Sequence, residues 1–261
     1  MLSTIAFVAL ALSCAVQAVF LLLGKSRKDF FSWPLLAAAG VLLAAELVRR
    51  SVAIGFIAVT DTFEALALFA AAIALLLFAW RLLLREKTVP VVSFIGSFLA
   101  FALVALASSP LVPKDVLPPV PALRSGWLVL HISLAFAGEA FFALSFGAAL
   151  SFLLTKDEEK RARLDRLIYT SILVGYPIYT AGALIFGAIW AYFAWGSFWS
   201  WDPKEVWALG TWLVYTLYLH LRLIRKARGT LSAVVALAGF LVAIFTFLGV
   251  NFLLTGLHSY A

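Results

Sequence analysis

The sequence predicts an all-α fold, a polytopic membrane helix bundle of about eight transmembrane helices with both termini outside. Three observations carry that prediction. Hydrophobic residues make up 64% of the 261 positions and charged residues only 13%, too few charges to clothe a soluble domain of this length. The apolar residues fall into runs of about 20 or more, the length that crosses a hydrocarbon core of about 30 Å. The basic residues gather in alternate connections, as positive-inside loops do.

The first run, 3–23, is preceded by no Lys or Arg and is longer than the apolar region of a signal peptide. It therefore reads as a retained helix, with Val16-Gln17-Ala18 a false cleavage site and Ala11-Leu12-Ser13-Cys14 a poor lipobox. Runs 30–48, 62–80 and 88–109 follow, and then a connection from Pro110 to Gly126 that holds five prolines. Four more runs, 127–155, 168–194, 206–221 and 230–257, complete the chain. Residues 1–126 form an N-terminal half of helices 1–4 with an outer loop. Residues 127–261 form a second half, helices 5–8, with a tryptophan-rich loop at 195–207.

Charge fixes the orientation. The connections after runs 1, 3, 5 and 7 hold Lys25, Arg27 and Lys28; Arg81, Arg85 and Lys87; Lys156, Lys160, Arg161, Arg163 and Arg166; and Arg222, Arg225, Lys226 and Arg228. These are 15 of the 20 basic residues, and the opposite side has only Arg49, Arg50, Lys114, Arg124 and Lys204. The first set is expected on the cytoplasmic side or its equivalent. The net charge of +7 is thus a topology signal and gives no footprint for nucleic acid. Cys14 is the sole cysteine, which excludes an internal disulfide, a CxxC redox pair and a CxxCH attachment site in this chain.

Residues 195–207 read Trp-Gly-Ser-Phe-Trp-Ser-Trp-Asp-Pro-Lys-Glu-Val-Trp, and Trp212 and Tyr215 continue the aromatic series. Five of the nine tryptophans lie within this 18-residue window. Two readings meet these residues. One is an interfacial aromatic belt, although a belt spreads its rings over all helix ends. The other is a site for a large planar ligand at the membrane edge, where indole faces supply burial and a few polar groups fix orientation. Asp202-Pro203 with Glu205 is a helix start.

The chain has three histidines. His131, near the outer end of the fifth run, and His258, at the outer end of the eighth, are expected at the level of the tryptophan loop. Taken singly, each histidine reads equally as a satisfied core residue bonded to a carbonyl. Neutral imidazole is, however, a common axial ligand of haem iron, so two at one level make His131 and His258 candidates to hold one iron while Trp195, Trp199, Trp201 and Trp207 contact the porphyrin. His220 lies ~21 Å deeper along the seventh run and finds no fourth histidine to pair with. Zinc is disfavoured, since no Cys or carboxylate completes a tetrahedral set beside the two outer histidines. Glu139, two turns below His131, reads either as a proton or haem-path residue or as half of an interhelical polar pair. Glu46, Asp61, Glu64, Arg49 and Arg50 read as a local ion-pair cluster. Arg124 and Lys204 are outer cations that could face propionates, and read equally well as solvated or as bound to lipid headgroups.

The run Trp195-Gly196, Trp199, Trp201-Asp202-Pro203-Lys204-Glu205, Trp207 and Trp212 resembles the tryptophan-rich pattern of the CcsA/ResC family of cytochrome c biogenesis proteins. Tyr218-Leu219-His220-Leu221-Arg222, Val250-Asn251-Phe252-Leu253 and Gly256-Leu257-His258-Ser259-Tyr260-Ala261 extend the likeness over 127–261, and more faintly to 61–66 and the first runs. Phe198 and Val206 depart from it, standing where Tyr or Trp and Thr or Ser are usual. The resemblance implies a haem lyase of the system II type, sited in a bacterial plasma membrane or a thylakoid membrane. Haem b would be brought to the outer face and presented there to the CxxCH thiols of an apocytochrome c. It implies external axial ligands at His131 and His258 and an intramembrane haem ligand at His220. A ResB/CcsB-type partner would supply the second histidine for His220. Trp199, Trp201 and Asp202 are then the candidate catalytic residues. Two alternatives remain at this level, a CcmC-like haem relay without ligation and a bis-His electron-transfer cytochrome b.

Overall fold

The computed structural model describes residues 1–24, 29–84, 89–254 and 256. Among these residues every regular element is helical. Six stretches are long and apolar enough to cross a membrane: Leu2–Leu22, Thr62–Leu83, Pro90–Ser108, Gly126–Leu154, Glu158–Trp195 and Thr230–Leu253. Two further rods, Ser32–Ile54 and Pro203–Leu223, have 23 and 21 residues but carry charged groups within the helix. The chain divides into two compact units, Met1–Val120 and Pro121–Ala261.

In the first unit, α1 (Leu2–Leu22), α2 (Ser32–Ile54), α3 (Thr62–Leu84) and α4 (Pro90–Ser108) pack in sequence, and α4 closes back on α1. Lipid offers the backbone no partner, so every carbonyl and N–H must be paired within the rod, which favours uninterrupted helix. Helix contacts then rely on small residues. A Cβ on Gly40 would lie 2.8 Å from Leu75, and one on Gly96 would lie 2.7 Å from Leu77.

The second rod runs to Ile54, six residues past the expected end at 48. The cause is tertiary: Arg50 is 2% exposed and bonded on all sides. Its guanidinium donates to Glu64 at 3.0 Å, to Asp61 at 2.6 Å, and to the carbonyls of Lys114 and Asp115 at 3.1 and 3.0 Å. It also lies over the Phe63 ring, 4.8 Å from its centroid. Burial, the strongest influence on Asp61, pushes its carboxyl above the usual range. The cluster read from sequence as a local set of ion pairs is thus a knot that fastens the 109–120 connection to the end of α2.

In the second unit, α5 (Gly126–Leu154) packs on α6 (Glu158–Tyr179) and on α9 (Thr230–Ile244), while α8 (Pro203–Leu223) packs on α9 and α6. Glycines let α5 and α6 approach closely. A Cβ on Gly138 would meet the backbone nitrogen of Tyr179 at 2.7 Å, and one on Gly175 would meet the carbonyl oxygen of Gly138 at 2.9 Å. The sixth rod starts at Glu158 rather than at 168, because the Asp157 carboxylate caps it by accepting from the Lys160 N–H at 3.1 Å. At the same end Arg222 donates to both oxygens of Asp165, at 2.9 and 2.6 Å.

Two rods that the sequence reads as plain helices change register. A π-helical stretch, Thr180–Phe186, separates α6 from α7 (Gly187–Trp195), and another, Phe245–Gly249, separates α9 from α10 (Val250–Leu253). Single π-turns inside α-helices occur often at functional sites, since the widened turn redirects a carbonyl.

Candidate functional site

His131 lies five residues into α5, and the first π-helical stretch determines its chemistry. The Gly182 carbonyl accepts the Gly187 N–H in the wide register and accepts a second bond from His131 Nδ1 at 2.9 Å. A carbonyl cannot donate, so Nδ1 carries the hydrogen, and whenever the ring is neutral its lone pair is on Nε2. Two glycines make this approach possible. A Cβ on Gly182 would stand 2.3 Å from the Ala135 nitrogen, and one on Gly187 would stand 3.0 Å from His131 Nδ1.

The imidazole lies parallel to Trp190, with centroids 5.9 Å apart and planes 8° apart. Trp190 is 1% exposed, and its indole N–H donates to the Ala122 carbonyl at 3.1 Å. That bond, with Leu123 and Leu128 packed against the ring, draws the short turn Pro121–Leu123 into the second unit. Trp195 meets Trp190 edge-on at 5.5 Å. His131, Trp190 and Trp195 therefore form one continuous packed series that leads to the tryptophan loop.

The loop begins where Gly196, at φ 83°, ends α7 by donating its N–H to Tyr192. It ends at a reciprocal cap. Asp202 accepts from the Lys204 N–H at 2.9 Å, and Glu205 accepts from the N–H groups of Ser200 and Asp202 at 2.7 and 3.3 Å. Each orphan donor at the start of α8 is satisfied this way. Between the two anchors, Trp199 meets Trp201 edge-on at 5.7 Å. Trp201 has φ 61°, a left-handed conformation that costs a non-glycine residue about 1–2 kcal/mol, and its side chain is 74% exposed. Phe198, exposed, stacks on Tyr192 at 4.5 Å, and Phe193, exposed, stacks on Trp127 at 6.5 Å. The result is an open aromatic surface at the His131 end of the second unit, with Trp207 on α8 resting on Phe245 at 4.4 Å.

The polar fittings follow. Lys204 Nζ donates to Asn251 Oδ1 at 2.8 Å, which links the start of α8 to α10. A Cβ on Gly256 would lie 2.4 Å from Asp202 Oδ1, so the chain beyond α10 returns to the loop. His258 itself lies outside the described residues. Trp212 donates its indole N–H to Thr180 at 3.0 Å, below the loop. Arg124 is exposed on the turn before α5. Glu139 is buried in α5, and its Oε2 has no hydrogen-bond partner. His220 is at the opposite end, exposed in the last turn of α8, ~25 Å along the helix from Pro203 at about 1.5 Å per residue.

The structure therefore brings together His131, Trp195 and the loop bearing Trp199, Trp201 and Asp202, and it leaves His220 apart. Sequence reasoning missed Trp190, Gly182 and Gly187. Trp190 sits five residues before the tryptophan window, inside a run that reads as plain membrane span. Whether a haem fits can be tested on the donor set. An imidazole whose Nδ1–H is held by a carbonyl is oriented as metal-ligating histidines are, and the packed rings of Trp190 and Trp195 connect it to the loop bearing the exposed Trp201. The residues present fit the group.

The family described as Cytochrome C assembly protein matches residues 59–258. Cytochrome c biogenesis protein CcsA of Prochlorococcus marinus strain MIT 9303 is 35% identical over 87% of this chain and 82% of that protein. CcsA of Prochlorococcus marinus strain SARG is 33% identical over 99% of this chain and 92% of its own length. CcsA of Chlamydomonas reinhardtii is 42% identical over a shorter region, 60% of this chain and 46% of that one. The chain belongs to the CcsA family. It is an integral, multi-pass membrane member of it, and the matched span takes in the whole of the His131 site and the tryptophan loop.

Proposed function

We propose that this CcsA-family chain is the membrane subunit of a cytochrome c synthase of the system II type. It holds haem b at the tryptophan loop and presents it for thioether attachment to the CxxCH segment of an apocytochrome c. A part in cytochrome c maturation follows from the family. The observation that supports the finer reading is the Gly182 carbonyl on His131 Nδ1, which fixes the ring against Trp190 and, through Trp195, beside the loop that bears the exposed Trp201.

The chain's own residues have three tasks. His131 ligates, with Nε2 as the lone-pair nitrogen. Trp199, Trp201 and the neighbouring aromatic residues orient a planar substrate and exclude water from one of its faces. Asp202 and Glu205 fix the loop to α8, so that the tryptophans keep their positions. Haem supplies the two vinyl groups to which the thiols of the apocytochrome add. Holding thiol and vinyl in attack geometry can contribute several kcal/mol to the barrier by itself, so the chain need not contain a nucleophile. His258 is the proposed second external ligand. The alternation of basic connections supports an outer-facing loop. His220, exposed in the last turn of α8, is proposed to ligate haem together with a histidine from a ResB/CcsB-type partner docked on that face.

The test is covalent haem staining of a reporter apocytochrome c made with this chain and a ResB-type partner. Wild type is expected to stain, His131→Ala to lose the stain, and added imidazole to restore it. Haem that copurifies with wild type without any stained reporter would replace the synthase with a CcmC-like relay. Unchanged spectra in His131→Ala would remove the ligand assignment.

A further inference from the structure

A second polar site lies within the first compact unit. All four of its helices contribute to one small half-open cavity of about 20 Å³, lined by Gln17 of α1, Asp29 and Trp33 at the start of α2, Arg81 of α3 and Ser93 of α4. Such a volume holds about one small group. Three of these side chains are buried and polar: Gln17 at 4% exposure, Asp29 at 4% and Ser93 at 1%.

Hydrogen bonds fix what the cavity offers. Ser13 Oγ donates to the Ser32 carbonyl at 2.9 Å, so it can only accept from Gln17, at 3.1 Å. This sets the Gln17 amide with its nitrogen toward Ser13 and Ser97, the latter at 2.9 Å, and its oxygen elsewhere. Gln17 Oε1 has no partner, and neither has Ser93 Oγ. Leaving such groups buried and unsatisfied is destabilising. Asp29 accepts from the N–H groups of Phe31 and Ser32 and from the Ser32 hydroxyl, which uses three of its roughly four lone-pair positions. The interior therefore calls for a hydrogen-bond donor with positive charge. Arg81 provides the opposite chemistry at the same cavity. Its guanidinium lies 5.2 Å from the Trp33 centroid, and with five N–H donors it can serve more than one partner.

We propose that this end of the first unit binds the headgroup of an amine-bearing phospholipid, with the primary ammonium between Gln17, Ser93 and Asp29 and the phosphate on Arg81. A lipid is favoured over a free phosphoamine by the collar around the lining residues. Leu22, Leu23, Leu82 and Leu83, which follow Leu21 and Arg81 of the cavity wall, are 88%, 59%, 56% and 82% exposed. Helix ends with Trp and Arg are also where headgroups lie. A choline headgroup is the natural control, since its quaternary nitrogen donates no hydrogen bond and is too large for the interior.

The test is native mass spectrometry and thermal unfolding of the full chain in detergent. Phosphatidylethanolamine, phosphatidylcholine, phosphatidylglycerol and soluble phosphoethanolamine would each be added separately. The expected result is a one-to-one phosphatidylethanolamine adduct, at least tenfold preferred over the choline lipid, with a rise in Tm. Ser93→Ala removes an unsatisfied group and should keep or raise the lipid-free Tm, whereas Gln17→Leu also forfeits the bonds to Ser13 and Ser97 and should lower it; both should lose most of the phosphatidylethanolamine shift. Equal retention of ethanolamine and choline lipids, or a shift that survives in both variants, would overturn the site and leave a cavity for ordered water. Phosphatidylglycerol binding equally well would show an anion site without an ammonium pocket. A response to soluble phosphoethanolamine equal to that of the lipid would overturn the lipid assignment.

Discussion

Gly187→Ala should weaken haem binding at His131 without unfolding the second unit. The added Cβ would sit 3.0 Å from Nδ1 and 3.1 Å from Cε1 of the imidazole. The ring must then give by a few tenths of an ångström, and the bond from Nδ1 to the Gly182 carbonyl, now 2.9 Å, is the contact that lengthens. A neutral hydrogen bond contributes about 0.5–1.5 kcal/mol, and each 1.4 kcal/mol is tenfold in affinity. Haem affinity should therefore fall about two- to tenfold. Fraying of the tautomer lock adds a second signature, a weaker or heterogeneous low-spin spectrum that added imidazole restores. The comparison is Gly182→Ala, whose Cβ would meet backbone at 2.3 Å. Rigid backbone cannot give as a side chain can, so this variant should lose stability by about 1–3 kcal/mol or more. Haem titration, with thermal unfolding in detergent, separates the two. If Gly187→Ala binds haem like wild type while His131→Ala does not, the π-turn carbonyl does not set the ligand, and the reasoning from register to chemistry fails.

Two further predictions rest on the polar anchors. Arg50→Ala strands Glu64, which is 1% exposed, and breaking a buried pair by removing one partner costs about 3–5 kcal/mol. Thermal unfolding should show it, together with faster proteolysis of the 109–120 connection, whose Lys114 and Asp115 carbonyls Arg50 holds; an unchanged digestion pattern would count against that role. Asp202→Ala removes a helix cap, at about 0.5–2 kcal/mol, whereas Asp202→Asn keeps an acceptor. Reporter staining should fall in the alanine variant and largely recover in the asparagine one, and equal loss in both would mean that the carboxylate charge itself is needed.

What the sequence could reveal follows from which forces are local. Apolar runs of about 20 residues are set by the bilayer, so the rods were legible, as was the start of α8, where Asp202, Pro203 and Glu205 are a cap written within four residues. Rod ends were misjudged wherever a distant partner neutralises a charge. Arg50 looked like the edge of a loop because, although Glu64 and Asp61 are legible as its ion-pair partners, the two carbonyls 64 and 65 residues away that complete its burial are invisible to a window. The α6 start was missed for a different reason: the helix continues past the membrane edge into polar sequence, and hydropathy does not detect that. The π register was the least accessible feature. It inserts extra chain into a turn whose compensation lies on α5, 51 residues away, at the His131 ring. Glycines at 182 and 187 read as ordinary membrane-helix glycines until that ring is in place. The residue types of the site were thus visible in composition, while the property that makes one of them a ligand, which nitrogen carries the hydrogen, depends on a helix-register shift that only the fold produces.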